Sequence, residues 1–194
     1  MNKLRVGIIL FILFNLSIIF NFIDMIFIII LILALYELIK NLFTSKIKLL
    51  LLIACLIIII NTHFINTNIL STKDIINISI LISISDIFQE YTGKYLGKNK
   101  IGWISPNKTY EGYIGGYIGI LCYYFLINSN FVYLNLIYVL GICGDLFFSY
   151  IKRLLTIKDY SNILLSHGGI LDRFDAILIA VFGIGLYKKC YEIK

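Results

Sequence analysis

From Val6 to Leu35 the chain carries a single ionisable residue, Asp24. A bilayer core is crossed by roughly 20 apolar residues, so this run is either one over-long span or a tight pair of spans broken near Asn21 to Asp24, and the pair is favoured. Lys3 and Arg5 ahead of it also fit a signal peptide, but no small-residue cleavage site follows and the apolar pattern resumes at once, so the segment is expected to be retained. Composition points the same way. Apolar residues make up 60% of the 194 and charged ones 14%, against about 45–50% and about 25% in a soluble domain. Too few polar side chains remain to cover a soluble surface. Disorder, collagen-like repeats and a disulfide scaffold are excluded as well. Cys55, Cys122, Cys143 and Cys190 lie far apart in apolar surroundings, with no metal-ligand spacing, and read as reduced packing residues. The net charge of +6 comes without a basic stripe of interleaved aromatics, so no nucleic acid is expected and the lipid bilayer is the partner.

Further spans are expected at about 47–60, 75–88, 113–127, 131–150 and 170–187. The fold class is therefore an all-α polytopic membrane protein, a bundle of about seven transmembrane helices. Residues 1–70 supply N-terminal hydrophobic spans and 71–194 a second transmembrane region, in one integral membrane unit. Trp103 and many tyrosines fall near the span ends, where amphipathic rings suit the interface. Basic loops (Lys3 and Arg5; Lys40, Lys46 and Lys48; Lys94, Lys98, Lys100 and Lys108; Lys152, Arg153 and Lys158) alternate with neutral ones and are expected to face the cytoplasm. With seven spans, Lys188, Lys189 and Lys194 face outward and break that rule, so either one segment is re-entrant or the count is off by one.

Two segments concentrate Gly, Lys and carboxylates where spans begin and end. The first runs from Asp86 through Gly93-Lys94 and Gly97-Lys98 to Ser105-Pro106-Asn107-Lys108-Thr109-Tyr110-Glu111-Gly112. Paired Gly-Lys steps permit close backbone approach and bring ammonium groups to an anion, as a phosphate site requires, although a solvated basic loop has the same look. The second contains Asp145, Ser149, Lys152 and Arg153, then Lys158-Asp159, His167-Gly168-Gly169 and Asp172-Arg173-Phe174-Asp175. On a helix Asp145, Ser149 and Lys152 share one face, and so do Asp172 and Asp175. Carboxylates at membrane depth face the bundle interior, paired with cations or a metal. Several carboxylates beside Lys and Arg suit Mg²⁺ holding a polyphosphate better than zinc; a buried Asp–Arg and Asp–Lys network joining helices is the alternative.

Ser149-Tyr150-Ile151-Lys152-Arg153, Lys158-Asp159 and His167-Gly168-Gly169-Ile170-Leu171-Asp172-Arg173-Phe174-Asp175 follow one another at the spacing of a known signature. With Gly144-Asp145-Leu146, the block from Ser105 to Gly112 and the aromatic-Glu pair Tyr36-Glu37, the sequence resembles the phosphatidate cytidylyltransferase (CDP-diacylglycerol synthase) family. The resemblance is strong over residues 86–187 and hydropathic before them. It departs at Leu165, where the family usually has Pro or Gly, at Asn107, usually Lys, and at Glu90, commonly Tyr. The chain is also short for the family, with spans expected to be missing between about Ile60 and Ile75.

The resemblance implies transfer of a cytidylyl group from CTP to phosphatidic acid, giving CDP-diacylglycerol and pyrophosphate in phospholipid biosynthesis. It implies a catalytic transmembrane domain over residues 71–194 with its active site near the cytoplasmic side, Mg²⁺ as cofactor, with a monovalent cation such as K⁺ left open, a multi-pass place in a bacterial inner membrane, and room for a homodimer. Asp145 and Asp172 are assigned to the metal centre, with Asp175 and Asp86 as further ligand candidates. Lys152, Arg153, Lys158 and Arg173 hold triphosphate or lipid phosphate. Ser149 and His167 position phosphate oxygens, and Gly168 and Gly169 admit the backbone. Lys94, Ser105, Lys108, Thr109, Glu111 and Asp159 complete the expected substrate site. Competing readings are a related CTP-using lipid enzyme of the CDP-archaeol synthase or polyprenol kinase type, a small cation transporter using the same aspartates, and an inactive paralogue.

Overall fold

A computed structural model gives the fold and describes residues 22–42, 47–67, 69–127, 130–161, 163–164 and 168–192. Among these the regular structure is helical, as expected: α1 (Ile23–Leu42), α2 (Lys48–Asn66), α3 (Thr72–Leu96), α4 (Tyr110–Ile127), α5 (Phe131–Leu154) and α6 (Leu171–Glu192). One isolated antiparallel bridge joins Lys100 to Thr109. The helices have 18 to 25 residues, so at about 1.5 Å per residue they rise roughly 27 to 38 Å, the scale of a bilayer core. Two of them, over Lys48–Ile65 and Phe131–Leu154, meet the length and composition of a membrane span. The first half of the expected tight pair lies outside the described residues, and α1 opens inside the break foreseen near Asn21 to Asp24.

Helix ends differ from the apolar runs because hydropathy stops at the first charges whereas backbone hydrogen bonding does not. α3 continues past Phe88 to Leu96 and so carries Glu90, Gly93 and Lys94 in helix. α1 likewise runs on past Leu35 and keeps Glu37 within it.

Contacts divide the chain into two compact units, one of residues up to Thr72 with Ile151–Asp175, the other of Lys73–Tyr150 with Ala176–Lys194. In the first, α1 packs on α2. Ile23, Phe27, Leu31, Ala34 and Leu38 form the buried stripe of α1, and Leu51, Ala54, Cys55, Ile58 and Ile65 that of α2. Their outer faces are equally apolar, with Met25, Ile29, Ile32, Leu52, Leu56 and Ile59 exposed. Helices apolar all round belong in lipid rather than at a water interface. Thr72 Oγ1 donates to Asp24 Oδ2 at 2.8 Å, while Asp24 Oδ1 is buried without a hydrogen bond among the described residues.

In the second unit α4 lies against α3 along a row of glycines. A Cβ on Gly116 would come within 2.6 Å of Gln89 and one on Gly119 within 2.8 Å of Phe88. Small residues of this kind let helix backbones approach where no hydrophobic force drives association. Gly93, Gly97 and Gly112 all face Thr109. Thr109 is buried, and its Oγ1 accepts the Gly112 amide at 3.1 Å, capping α4. Tyr117 Oη donates to Asn135 Oδ1 at 2.9 Å and Tyr138 Oη to the Tyr113 carbonyl, tying α4 to α5.

Where α3 and α5 begin and α6 finishes, Lys188 Nζ pairs with Asp74 Oδ2 at 2.5 Å, and Tyr133 Oη reaches Asp74 Oδ1 at 3.5 Å. Lys188 is one of the lysines that break the positive-inside pattern, and its charge is met inside the protein. Lys188→Met should destabilise the chain by about 2–3 kcal/mol, because it strands a largely buried carboxylate, and Asp74→Asn in the same chain should recover much of the loss. Unfolding in detergent measures both. By the same assay Thr109→Ala should cost about 1 kcal/mol through the lost cap, with Thr109→Ser restoring most of it.

Candidate functional site

In the unit of α3, α4 and α5, the segment between α3 and α4 is a built loop. Lys108 N donates to Ser105 O at 3.1 Å, a turn with Pro106 in the second position, where its fixed φ belongs. Ile101 N donates to Lys108 O and Tyr110 N to Asn99 O, both at 3.0 Å. The Glu111 carboxylate closes the loop, accepting Asn99 N at 3.2 Å and Asn99 Nδ2 at 2.8 Å. Hydrogen bonds from its own backbone amide first, and then from Asn99, hold the Glu111 carboxyl below the usual glutamate range. The loop sets Lys108 Nζ 2.7 Å from Asp145 Oδ2 on α5 and 5.8 Å from the Tyr113 ring centroid.

Asp86 and Gln89 of α3 line the same small pocket as Lys108 and Asp145, above an apolar floor that includes Leu81, Ile82 and Ile137. Gln89 Nε2 donates to Ser85 Oγ at 2.8 Å. Gln89 Oε1 and Asp145 Oδ2 are buried without an aligned hydrogen bond, the latter having only its charge contact with Lys108. Two carboxylates and an unsatisfied amide oxygen form an all-oxygen donor set. Mg²⁺ is commonly held by one or two carboxylates, with waters and substrate phosphates completing its shell. The residues therefore fit that ion, and among the described residues no set of three His, Cys, Asp or Glu converges as zinc would want.

In the other unit the signature residues gather around the start of α6. Lys152 Nζ donates to Asp172 Oδ1 at 2.9 Å, and Asp172 Oδ2 accepts Tyr160 N at 2.8 Å and Gly169 N at 2.9 Å. Lys152 also stands 5.7 Å from the Tyr160 ring centroid. Burial first, and then the negative charges of Asp175, Asp172 and Glu37, push the Tyr160 hydroxyl up. Glu37 of α1 is almost fully buried. Its Oε1 accepts Ile170 N at 2.9 Å and Ser161 Oγ, and its Oε2 accepts Leu171 N at 2.9 Å. Gly168 has φ +81°, and a Cβ there would stand 3.2 Å from both Asp159 Oδ1 and Asp172 Oδ2. Glycine permits that conformation and the tight space between two carboxylates.

The structure thus joins Lys108 to Asp145 and Lys152 to Asp172. Ser149 is buried on α5 and Asp175 on α6. Lys94 is exposed late in α3, against the Tyr95 ring. Arg153, Lys158, Asp159 and Arg173 are exposed, while Ser105 and Glu111 shape the Lys108 loop and Thr109 caps α4. His167 lies outside the described residues. Sequence reasoning passed over Gln89, Tyr160 and Ser161, and gave Glu37 no role although an acidic residue within an apolar run is itself a signal. The backbone approach expected at Gly168 and Gly169 is made here to carboxylates: the amides of residues 169–171 all donate to Asp172 or Glu37.

Comparison with known proteins gives this arrangement its context. The chain is 41% identical over 106 residues to the phosphatidate cytidylyltransferase of Aquifex aeolicus, covering 51% of this chain and 40% of that protein. It is 42% identical over 114 residues to that of Bacillus subtilis, covering 53% and 42%, and 36% identical over 130 residues to that of Helicobacter pylori J99, covering 61% and 48%. The chain thus matches between 40% and 48% of the length of these bacterial relatives. The pattern of the cytidylyltransferase family matches residues 3–191, almost the whole sequence. With that match over residues 3–191, the chain belongs to the cytidylyltransferase family.

Proposed function

We propose that the chain transfers the cytidylyl group of CTP to phosphatidic acid, at the cytoplasmic side of a bacterial inner membrane. The observation that carries this reading is the 36–42% identity to proteins named for that reaction. A phosphate oxygen of the lipid attacks the α-phosphorus of CTP, the bond from that phosphorus to the bridging oxygen breaks, and pyrophosphate leaves with the electron pair. Such a transfer needs positioning and charge neutralisation more than covalent help from the protein.

Asp86 and Asp145, with Gln89 Oε1, would hold Mg²⁺. When bound, the ion neutralises phosphate charge and orients the triphosphate. Lys108 balances Asp145 in the resting protein, and an incoming phosphate offers its ammonium a second anion. Lys152, held by Asp172, contributes a fixed cation, and Arg153, Lys158 and Arg173 supply further ones. The amides of residues 169–171 already donate to carboxylates, so side chains rather than backbone carry phosphate recognition there.

The reading is tested by supplying the purified chain in lipid with labelled CTP, phosphatidic acid and Mg²⁺, and withholding each in turn. Organic-extractable label that requires all three is expected; label independent of phosphatidic acid would point to another acceptor. Asp145→Asn, by removing a ligand charge for the metal, and Asp172→Asn, by releasing Lys152 from its fixed place, should each lower kcat on the order of 10²–10³-fold without preventing membrane insertion. A near-normal rate in either would remove that residue from the site. Lys152→Ala should chiefly raise KM for CTP or for the lipid, and comparing the two constants identifies the phosphate it holds.

A further inference from the structure

Glu37 lies far in sequence from the signature, yet its carboxylate is spent wholly on it. It accepts Ile170 N and Leu171 N at 2.9 Å each, one per oxygen, and takes Ser161 Oγ as a third donor. These amides belong to the start of α6, where they have no intrahelical acceptor and where the helix dipole favours a negative charge. The fit is close on both sides: a Cβ on Gly169 would come within 2.6 Å of Glu37 Oε2 and 2.7 Å of Oε1. The next residue of the same turn is Asp172, which takes the preceding amide, Gly169 N, and holds Lys152. Two carboxylates therefore fix three successive amides, and the placement of one depends on the other.

We propose that Glu37 is a positioning residue for the reaction, fixing the first turn of α6 so that Asp172 holds Lys152 in register to meet the substrate phosphates. The role rests on the cytidylyl-transfer reading. Glu37 touches no reacting atom, and its loss keeps the Lys152 charge that captures phosphate while loosening the register of that charge, so it should disturb the chemical step rather than the capture of CTP. Glutamine is no substitute: it keeps one acceptor oxygen and turns an NH₂ group toward an amide donor.

The test is a cycle of wild type, Glu37→Ala, Gly169→Ala and the double variant, assayed for kcat and KM on folded protein in lipid. Glu37→Ala should lower kcat on the order of 10- to 100-fold with KM for CTP within about twofold, as for a misplaced reacting group. Gly169→Ala should also lower kcat, because its methyl group displaces the carboxylate, yet should add nothing to Glu37→Ala, where the carboxylate is gone. A role in stability alone would reduce the folded fraction and leave these constants unmoved. Wild-type kcat in Glu37→Ala, a loss confined to KM, or fully additive losses would overturn the proposal. Should Glu37→Ala fail to fold, Gly169→Ala decides by itself, and full activity there overturns it. A wild type that makes no lipid product would instead overturn the reaction, and this role with it.

Discussion

An ionised carboxylate within an apolar helical chain must be met by a cation or by N–H and O–H donors, since the cost of leaving it bare is several kcal/mol. The structure is organised by that requirement. Asp74 is met by Lys188, Asp145 by Lys108, and Asp172 by Lys152. Glu37 is met by two amides and a hydroxyl, and one oxygen of Asp24 by Thr72. Each pairing joins residues remote in sequence, so the same contacts that make the charges tolerable also hold elements together. Where the pairing is complete, as at Asp172 and Glu37, the group is fixed. Where it is partial, as at Asp145 and the neighbouring Gln89 oxygen, capacity is left for a cation or a substrate.

That distinction separates scaffold from chemistry. Asp74 and Lys188 sit where α3 begins and α6 finishes, and they clamp helices. Asp86, Asp145 and Lys108 line one pocket, the combination of anionic oxygens and an ammonium that the proposed transfer between phosphates calls for. Lys152 is pinned by Asp172 and faces the Tyr160 ring, which restricts the conformations it must lose on binding an anion. The α6 amides show the cost of inferring a ligand from glycines alone. Gly168 and Gly169 do admit a close approach, but the partners are Asp159, Asp172 and Glu37.

The helical class was legible in the sequence because apolar runs of span length leave few other folds in reach. So was the pairing of charges in principle, though not the partners. Asp145, Ser149 and Lys152 share a helical face on paper, yet Asp145 pairs with Lys108, whose reach is decided by the Ser105–Lys108 turn and the Asn99–Glu111 clasp. Helix ends were misjudged where charge entered a helix, as at Glu90 to Leu96. Glu37 was visible as a motif residue but not as the cap of α6, because a cap supplied by a helix more than a hundred residues upstream leaves no local spacing to read. Thr109 looked like a phosphate ligand in a Lys-Thr block, and only its burial and its bond to Gly112 N reveal the helix start it secures.

The central claim is that the α-phosphate of CTP, with its nucleoside, is what moves. It is tested most directly by giving the lipid-reconstituted chain CTP labelled in the α-phosphate and, separately, in the γ-phosphate. Cytidylyl transfer places α-label in the lipid phase and leaves γ-label in aqueous pyrophosphate. Recovery of γ-label in lipid would contradict the account and make the chain a CTP-dependent lipid kinase.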